Sequence, residues 1–310
     1  MQSIGVDFGG TTIKLGICQA DSILFKPEPI HTHSHTSAET LLEELCGTIE
    51  KLRHSYPEIA AIGVGVPGFV NYAHGLVHKL TNVRGWENIP LQALLENHTG
   101  LTVAVDNDAN CATYAEWKFG AGRGSRHLLA ITLGTGVGGG LILDGKLHRG
   151  ASSGAGEVGQ MSVYWEGRTG VYQNRGCLEQ YIGHRQITQH AIELYKAAGV
   201  TKEREECDPA RLARAAHAGD PIALETWEHV ARILACELCN ICWLVSPDTI
   251  VIGGGIAGAG DCLFGPLSRH MQSQLHPIFW NSLRLVSARF GNEAGIIGAA
   301  QLAADRLLSA

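Results

Sequence analysis

The chain has 310 residues, with 24 Lys and Arg against 30 Asp and Glu and a net charge of −6. This length allows one large domain or two of about 150 residues, and either could bury a full core. The negative charge argues against the basic surfaces that bind nucleic acid or anionic membranes, and no apolar run reaches the roughly 18 residues of a membrane span. The N-terminus leads directly into a strand, without a basic region or a cleavable apolar stretch, so we expect a cytoplasmic protein.

The nine cysteines predict neither a disulfide framework nor a redox centre. Their number is odd, and Cys236, Cys239 and Cys242 lie three residues apart in an apolar segment, as they would along one face of a helix. A free cysteine in such a place acts as a small hydrophobic side chain. A redox role would need a neighbouring strand–turn pattern, which the segment lacks. We therefore expect free thiols in a reducing compartment.

The chain opens with a strand, a glycine-rich turn and a second strand over residues 4–17. A similar unit occupies residues 128–143, where one apolar strand enters Gly-Thr and another leaves it. This recurrence at nearly half the chain length predicts two lobes of similar design.

Strands and helices alternate between and after these units. A helix is predicted over residues 38–53, with Ser37 as its N-cap, because apolar residues recur there at helical spacing. Further predicted elements are strands near 59–66, 101–105 and 249–252, helices near 109–118, 177–198, 208–216, 220–245, 261–275 and 294–308, and a loop at 165–176. This alternation predicts an α/β protein with parallel or mixed sheets.

Three strand ends carry glycine-rich turns, at residues 9–12, 134–140 and 253–255. Backbone N–H groups of such turns can bind phosphate oxygens, because glycine lets the chain approach closely. None has the Gly-Lys-Ser/Thr of a Walker loop, and the second precedes a strand and not the helix of a dinucleotide fingerprint. Each turn alone fits a plain hairpin, whereas the three together favour a nucleotide cleft.

Two carboxylates follow strands at positions suited to phosphoryl transfer. Asp7 ends the first strand beside a glycine turn, where it could hold a hydrated Mg²⁺ against phosphates. Asp108 lies in a turn between Asn107 and Asn110, where it could take the proton of an attacking hydroxyl. Asp and Asn also form turns and helix caps, and we assign that role to Asp106.

Seven motifs of the chain occur in the order found in a known family. They are Asp7-Phe-Gly-Gly-Thr-Thr-Ile-Lys14, Gly65-Val-Pro-Gly68, Asp106-Asn-Asp-Ala-Asn110, Leu133-Gly-Thr-Gly-Val-Gly-Gly-Gly140, Gly156-Glu-Val-Gly159, Gly176-Cys-Leu-Glu179 and Ile252-Gly-Gly-Gly255. Over essentially its whole length the chain thus resembles the ROK-family sugar kinases, and residues 82–91 are similar to a segment of the glucokinases among them. The resemblance implies an actin-like ATPase (ribonuclease H-like) fold, with two α/β lobes around a cleft. We place one lobe at residues 1–116 plus 294–310 and the other at 117–293.

The resemblance also implies roles for individual residues. Asp108 would be the base that activates the 6-hydroxyl of a hexose. The other sugar contacts would come from Gly68, Asn107, Glu157 and Glu179. ATP, with Mg²⁺ near Asp7, would be bound by Asp7, Gly9, Gly10, Thr11, Thr12, Lys14, Gly134, Thr135, Gly136, Gly253, Gly254 and Gly255. Lys14 belongs to the family pattern, but it fits a strand residue that reaches solvent equally well.

The chain departs from the family at its zinc motif. Members bind zinc through a His that closes Glu-Val-Gly-His and through three Cys of Cys-x-Cys-Gly-x-x-Gly-Cys. Here these four positions hold Gln160, Gly170, Tyr172 and Cys177. One thiol cannot make a four-coordinate zinc site, so we predict no zinc.

The loss of zinc also affects the sugar site and the neighbouring loop. The family His contacts the sugar near its 2-position, and the amide of Gln160 could replace that contact, face solvent or brace the loop. Without the metal, the loop over 162–176 would have to be held by packing, for which Tyr164, Trp165 and Tyr172 are suited.

We expect ATP-dependent phosphorylation of a hexose, with glucose as the first choice. N-acetylglucosamine, N-acetylmannosamine, mannose and fructose follow, because the altered 2-position weakens the case for glucose. Polyphosphate could replace ATP as donor, as in some relatives. A sugar-responsive ROK repressor is a second hypothesis, but such repressors carry a helix-turn-helix segment ahead of the kinase-like part, and Asp7 leaves no room for one. A non-catalytic sugar-binding regulator is a distant alternative, against which the intact Asp108 and glycine turns argue. The resemblance to the family also implies a homodimer.

Overall fold

The computed structural model describes residues 1–35, 37–80, 83 and 85–309. The chain divides into two compact units. The first contains Met1–Gly124, Leu147–Ala155 and Asn292–Ala310, and the second contains Ser125–Lys146 and Gly156–Gly291. The lobe bounds expected from the sequence remain a prediction. They assign residues 147–155 to the second lobe, whereas the structure groups these residues with the first unit.

The chain up to residue 124 contains both strands and helices. Its strands are β1 (Gln2–Phe8), β2 (Thr12–Gln19), β3 (Ser22–Phe25), β4 (Ile30–His31), β5 (Ile59–Val66), β6 (Val70–Asn71), β7 (Leu76–Lys79), β8 (Glu87–Ile89) and β9 (Thr102–Asn107). Its α-helices are α1 (Ala38–Ser55), α2 (Leu91–Thr99) and α3 (Asp108–Lys118).

The rest of the chain is mainly helical. Its strands are β10 (Leu128–Leu133), β11 (Val137–Leu143), β12 (Lys146–His148), β13 (Thr249–Gly253) and β14 (Arg284–Ser287). Its α-helices are α4 (Glu179–Ile182), α5 (His184–Ala197), α6 (Pro209–His217), α7 (Pro221–Val245), α8 (Asp261–Gln274), α9 (Pro277–Trp280) and α10 (Ala294–Ser309). Short 3-10 helices span Thr32–Ser34, Val158–Gln160, Gly255–Ala259 and Gly291–Glu293.

The first unit is organised around a sheet in the order β3–β2–β1–β5–β9, with β4 beside β2. β2 is antiparallel to β1, whereas β1, β5 and β9 are parallel, so their carboxyl ends lie at one edge. Helix α10 packs on this sheet at close range: a Cβ on Gly5 or Gly63 would collide with the backbone of α10. The C-terminal helix therefore belongs to the first unit, as the family resemblance implied.

The second unit contains a sheet in the order β12–β11–β10–β13–β14. β10 is antiparallel to β11 and parallel to β13, which is parallel to β14. The long helix α7 is capped by Asp220, whose carboxylate accepts hydrogen bonds from the N–H groups of Ile222 and Ala223. Trp227 and Leu238 of this helix are fully buried in the core of the unit.

The structure confirms the α/β class and most elements predicted from the sequence. Ser37 caps α1 by accepting a hydrogen bond from the N–H of Thr40 at 3.4 Å. The helix predicted over 177–198 is two helices, because Gly183 interrupts it. Helix α2 and the small sheet β6–β7–β8 were not predicted, since such short elements show no clear hydrophobic period.

All nine cysteines are free, as predicted, and Cys239 and Cys242 are buried in α7. Among the described residues, none of the helices has both the length and the apolar character needed to cross a membrane.

The segment that is similar to the glucokinases is described only in part. Asn82 and Arg84 lie outside the described residues. Trp86 is buried against Phe8 of β1, with 4.8 Å between the ring centroids. This segment therefore contributes an aromatic anchor to the core of the first unit.

Candidate active site

The candidate site of the first unit lies at the carboxyl edge of β1, β5 and β9. The strand register places Asp7 beside Gly65 and Gly65 beside Asp106. The turns after these strands carry Gly68 and Asp108, so residues from three distant parts of the sequence meet at one edge. Ligand sites of parallel sheets lie beyond such carboxyl ends.

The turn from β9 into α3 is held by Asn107. Its Oδ1 accepts a hydrogen bond from the N–H of Asn110 at 3.1 Å and thereby caps α3, while its Nδ2 donates to the carbonyl of Gly68 at 3.1 Å. Gly68 has a φ of +86°, which favours glycine. Oδ1 of Asp108 accepts a hydrogen bond from the N–H of Ala109 at 2.8 Å, which orients the carboxylate. The structure thus brings Asn107, Asp108 and Gly68 together.

Asp7 is largely buried at this edge. Burial raises the pKa of its carboxyl, and the charge of Lys14, which lies opposite Asp7 in the β1–β2 ladder, partly offsets the rise. The pKa of the buried Cys111 thiol is well above its usual range because of burial and then because of three nearby carboxylates. These are Asp106, Asp108 and Asp7. The three acidic groups therefore surround one point of the sheet edge.

The glycine turn between β1 and β2 is fixed from outside by Thr32. The N–H of Gly9 donates to the carbonyl of Thr12 at 2.9 Å, which closes the turn. Thr32 donates from its N–H to the carbonyl of Thr11 at 3.0 Å and from its hydroxyl to the carbonyl of Gly10 at 2.9 Å. With its carbonyls held on one side, the turn can present N–H groups on the other, as phosphate binding requires.

The candidate site of the second unit begins at the β10–β11 turn. The N–H of Gly134 donates to the carbonyl of Gly136 at 2.9 Å, and the N–H of His184 donates to the carbonyl of Gly134 at 2.9 Å. Oε2 of Glu179 accepts a hydrogen bond from the N–H of Val137 at 2.9 Å. A Cβ on Gly136 would collide with this carboxylate. Glu179, predicted as a sugar ligand, therefore also supports the predicted phosphate turn.

Glu157 and Glu179 lie near one another, although they come from separate motifs. Burial raises the pKa of the Glu157 carboxyl, and the charge of Glu179 raises it further. The pKa of Tyr172 is also raised, by burial and then by these two charges, so its phenol belongs to the same surroundings. Two carboxylates in one place can accept hydrogen bonds from several hydroxyls. Sequence reasoning did not place Tyr172 near this pair.

Glycines of β11 explain how Glu157 is positioned. Gly156 has a φ of +91°, and a Cβ on it would lie 2.9 Å from the carbonyl oxygen of Gly139. The absence of side chains lets the segment before Glu157 lie directly against the strand. The glycine-rich turn predicted over 134–140 is therefore wrong in its extent, because β11 begins at Val137 and its glycines serve packing.

The third glycine turn follows β13. The parallel register of β10 and β13 pairs Thr132 with Gly253, so the turns at 134–136 and 253–255 lie at the same edge of the second sheet. Gly254 has a φ of +83°, and a Cβ on it would collide with the backbone of Leu133. Two of the three predicted nucleotide turns are thus neighbours in the second unit.

Comparison with known proteins identifies the family. The family model described as ROK family matches residues 3–306. The chain belongs to the ROK family. A glucokinase of Streptomyces coelicolor is 32% identical and is covered over 98% of both chains, and one of Thermotoga maritima is 33% identical over 99% of this chain and 98% of its own.

Solved structures of the ROK family share this fold. A ROK family glucokinase from Streptomyces griseus, in complex with glucose and AMPPNP, superimposes with a TM-score of 0.82 at 30% identity, covering 98% of this chain and 100% of that one. The family and its structures confirm the predicted actin-like ATPase fold class.

Where the ROK resemblance implied a zinc motif, this chain has a hydrogen-bonded loop. Nδ2 of Asn174 donates to the backbone oxygen of Gln160 at 2.9 Å and to its side-chain Oε1 at 3.4 Å. The N–H of Gly170 donates to the carbonyl of Asn174 at 2.7 Å. A Cβ on Gly170 would collide with both the Asn174 amide and the Cys177 thiol. The side chain of Gln160 thus contacts the loop, which is one of the three roles open to it.

The residues at the ROK zinc positions do not fit zinc. Gln160, Gly170, Tyr172 and Cys177 offer one thiol and no imidazole, whereas structural zinc takes four N or S ligands. Burial also raises the pKa of the Cys177 thiol, which disfavours the thiolate that metals require. Across the described part of the chain, no group of three or more His, Cys, Asp or Glu side chains is placed to hold a metal.

The aromatic residues do not pack the loop in the way the sequence suggested. Tyr164, Trp165 and Tyr172 are 66%, 81% and 59% exposed. Arg168 holds the loop instead: its backbone N–H donates a hydrogen bond to the phenol oxygen of Tyr181 at 2.9 Å. Its guanidinium donates to the backbone of α4 at 3.0 Å. The loop is thus held by hydrogen bonds of its backbone and of the Arg168 guanidinium.

Proposed function

We propose that this chain transfers the γ-phosphoryl group of ATP to the 6-hydroxyl of a hexose, with glucose as the preferred substrate. The observation that carries the proposal is the turn in which Asn107 binds Gly68 and caps α3. This turn presents Asp108 at the sheet edge that also carries Asp7. A base beside a hydroxyl and a carboxylate beside phosphates are the groups that phosphoryl transfer needs. The glucokinase relatives support glucose.

In the proposed reaction, Asp108 accepts the proton of the 6-hydroxyl while that oxygen attacks the γ-phosphorus. The new O–P bond forms as the bond from the γ-phosphorus to the β,γ-bridging oxygen breaks, and ADP leaves with that electron pair. The hydrogen bond from Ala109 holds the carboxylate of Asp108 in one orientation before the proton moves. Asn107, Glu157 and Glu179 bind the remaining sugar hydroxyls.

The phosphates are proposed to bind at the glycine turns of both sheets. Asp7 fits a Mg²⁺ role, because its carboxylate is a hard oxygen donor beside the turn held by Thr32. Mg²⁺, when bound, would neutralise charge on the phosphate oxygens. Lys14 is exposed opposite Asp7 and would add a second positive charge there. The turn at 253–255 would receive the adenosine.

The preferred sugar is tested by an ADP-release screen. Gln160 stands where ROK relatives have a His near the sugar 2-position, and this change favours N-acetylglucosamine or N-acetylmannosamine as a second candidate class. Mannose and fructose complete the panel with glucose. We expect the highest kcat/KM with glucose, and ADP release from none of these sugars would contradict the kinase proposal. Polyphosphate forms no ADP, so it is tested as the donor by replacing ATP and measuring the sugar 6-phosphate that is formed.

The proposed absence of zinc gives a direct prediction. The purified protein should contain less than about 0.1 zinc per chain, because one buried thiol cannot complete a tetrahedral site. Its sugar kinase activity in Mg²⁺ should be unchanged by 1,10-phenanthroline. Elemental analysis by mass spectrometry checks the first point. Zinc at one per chain that is lost in Cys177→Ser would contradict it.

The raised pKa of Glu157 predicts a pH dependence of sugar binding. Its ionised carboxylate accepts hydroxyl hydrogen bonds, and because its pKa is raised, protonation removes this acceptor at a higher pH than for an ordinary Glu. KM for the sugar should therefore rise as pH falls, and the rise should begin at a higher pH than an ordinary Glu would give. Glu157→Gln should raise KM at every pH and flatten this dependence. An unchanged slope in Glu157→Gln would assign the effect to another group.

We further propose that the protein works in the cytoplasm as a homodimer. The reducing compartment accords with nine free cysteines, several of them buried. Light scattering of the purified chain measures the oligomeric state.

A further inference from the structure

Asp106 does more than the turn-forming role expected from its sequence. It is buried, with 3% of its side chain exposed. Its Oδ1 accepts hydrogen bonds from the N–H of Asn107 at 2.8 Å and from Nδ2 of Asn110 at 3.0 Å. Both partners belong to the turn that orients Asp108. The carboxylate of Asp106 therefore stabilises that turn from its buried side.

The other oxygen of Asp106 is held by Arg149, which lies 43 residues later in the chain. Nε and a terminal nitrogen of Arg149 approach Oδ2 of Asp106 at 2.8 and 2.7 Å. The guanidinium also stacks on the ring of Tyr72, with 3.5 Å from its central carbon to the ring centroid. With 18% of its side chain exposed, Arg149 is largely shielded from water. A charge pair so buried is held far more firmly than a surface pair.

The segment that carries Arg149 is itself closed. The N–H of Ala155 donates to the carbonyl of Arg149 at 3.0 Å, and the hydroxyl of Ser153 accepts a hydrogen bond from the N–H of Tyr72 at 3.4 Å. These contacts fix the backbone at Arg149 and in the residues that follow it. Arg149 is therefore presented to Asp106 from a preformed loop and not from a flexible surface.

We propose that Arg149 is a positioning residue for phosphoryl transfer, which acts through Asp106 to hold the Asn107–Asp108 turn in its reactive shape. The inference rests on the proposed function, because it assumes that Asp108 is the base. Without Arg149, the buried carboxylate of Asp106 loses both the compensating charge and the two donors that hold its Oδ2. A carboxylate released on that side no longer holds the two hydrogen bonds that Asp106 makes to the turn in place. A displaced base lowers the rate of the chemical step more than it weakens ATP binding.

The main test is Arg149→Met, which keeps much of the side-chain volume and removes the charge. We expect kcat with the best sugar to fall by about 10- to 100-fold, with KM for ATP changed less than about twofold. Circular dichroism at the assay temperature should show the folded protein. A kcat within about twofold of wild type in the folded variant would overturn the proposal.

Two further variants separate positioning from a general loss of structure. Arg149→Lys keeps the charge but loses the forked donor geometry, so it should restore part of the lost kcat; it carries the test if Arg149→Met does not fold. In the Asp106→Asn background, Arg149→Met should have little further effect on kcat, since the ion pair between Arg149 and Asp106 is already lost. If Arg149→Met lowers kcat by the same factor in the Asp106→Asn background as in the wild type, Arg149 does not act through Asp106, and the proposal is overturned.

The matched control is Arg126→Met, which breaks a surface pair between Arg126 and Asp144 at 3.0 Å with side chains 74% and 69% exposed. It should leave kcat within about twofold of wild type. An equal loss in this control would overturn the assignment to Arg149. Wild-type protein that releases no ADP with any sugar would instead contradict the proposed function, so the two failures are distinguishable.

Discussion

Asp108→Asn should lower kcat for sugar phosphorylation by about 10²- to 10⁴-fold, which is the usual contribution of a positioned general base. The amide cannot accept the proton of the 6-hydroxyl, but its oxygen can still accept the hydrogen bond from the N–H of Ala109. The turn capped by Asn107 should therefore keep its shape. KM for ATP should change little, because the predicted phosphate turns are untouched.

Steady-state kinetics with the best sugar of the screen checks this result. Asp144→Asn is a matched control: Asp144 is exposed, and its φ of +52° suits Asn as well as Asp. The control should keep wild-type kcat, and both variants should unfold at the wild-type temperature. A kcat of Asp108→Asn within tenfold of wild type would remove Asp108 from the role of base.

Much of the first unit could be predicted because its signals are local. A continuous apolar run predicts a buried parallel strand, and β5 has the predicted bounds of residues 59–66. The polar residues at the end of β9 could likewise be placed, although the predicted turn is shorter than expected: β9 extends to Asn107, and Asp108 is the first residue of α3. The contact between Asp106 and Arg149 could not be predicted, because nothing in the local sequence pairs residues so far apart.

In the second unit, the family resemblance predicted the loss of the zinc site but not the contacts that hold the loop in its place. The sequence predicted that Gln160 and Tyr172 no longer hold zinc, and it suggested aromatic packing in its place. The structure uses the amide of Asn174 and the backbone of Arg168 instead. The amide of Asn174 bonds to Gln160, 14 residues earlier, and such a contact has no periodic signature, so only the folded structure reveals it.

Glu237 was hidden from sequence reasoning by the apolar segment around it. It lies in α7 and is fully buried in the second unit. Among the described residues, neither of its carboxylate oxygens has a hydrogen-bond partner. Burial alone raises its pKa from 4.5 to about 7. The residue should therefore weaken the fold whenever it is ionised.

Glu237→Gln should stabilise the second unit by about 3 kcal/mol at a pH near 8, which follows from the raised pKa at about 1.4 kcal/mol per pH unit. The folded state prefers the neutral carboxyl, so the free energy of unfolding of the wild type falls as pH rises from 4.5 to about 7 and is flat above that value. Gln resembles the neutral acid and cannot ionise. The two proteins should therefore be equally stable near pH 4, where Glu237 is protonated in both states.

Urea unfolding at both pH values, followed by tryptophan fluorescence, to which Trp227 of the same core contributes, measures this difference. Glu225→Gln is the matched control, because Glu225 is exposed on the same helix and its replacement should change stability at neither pH. Equal stabilities of Glu237→Gln and wild type near pH 8 would mean that the folded protein solvates this carboxylate. The predicted gain is confined to the unit whose core holds Glu237, since the penalty arises from burial there and not from the net charge of the chain.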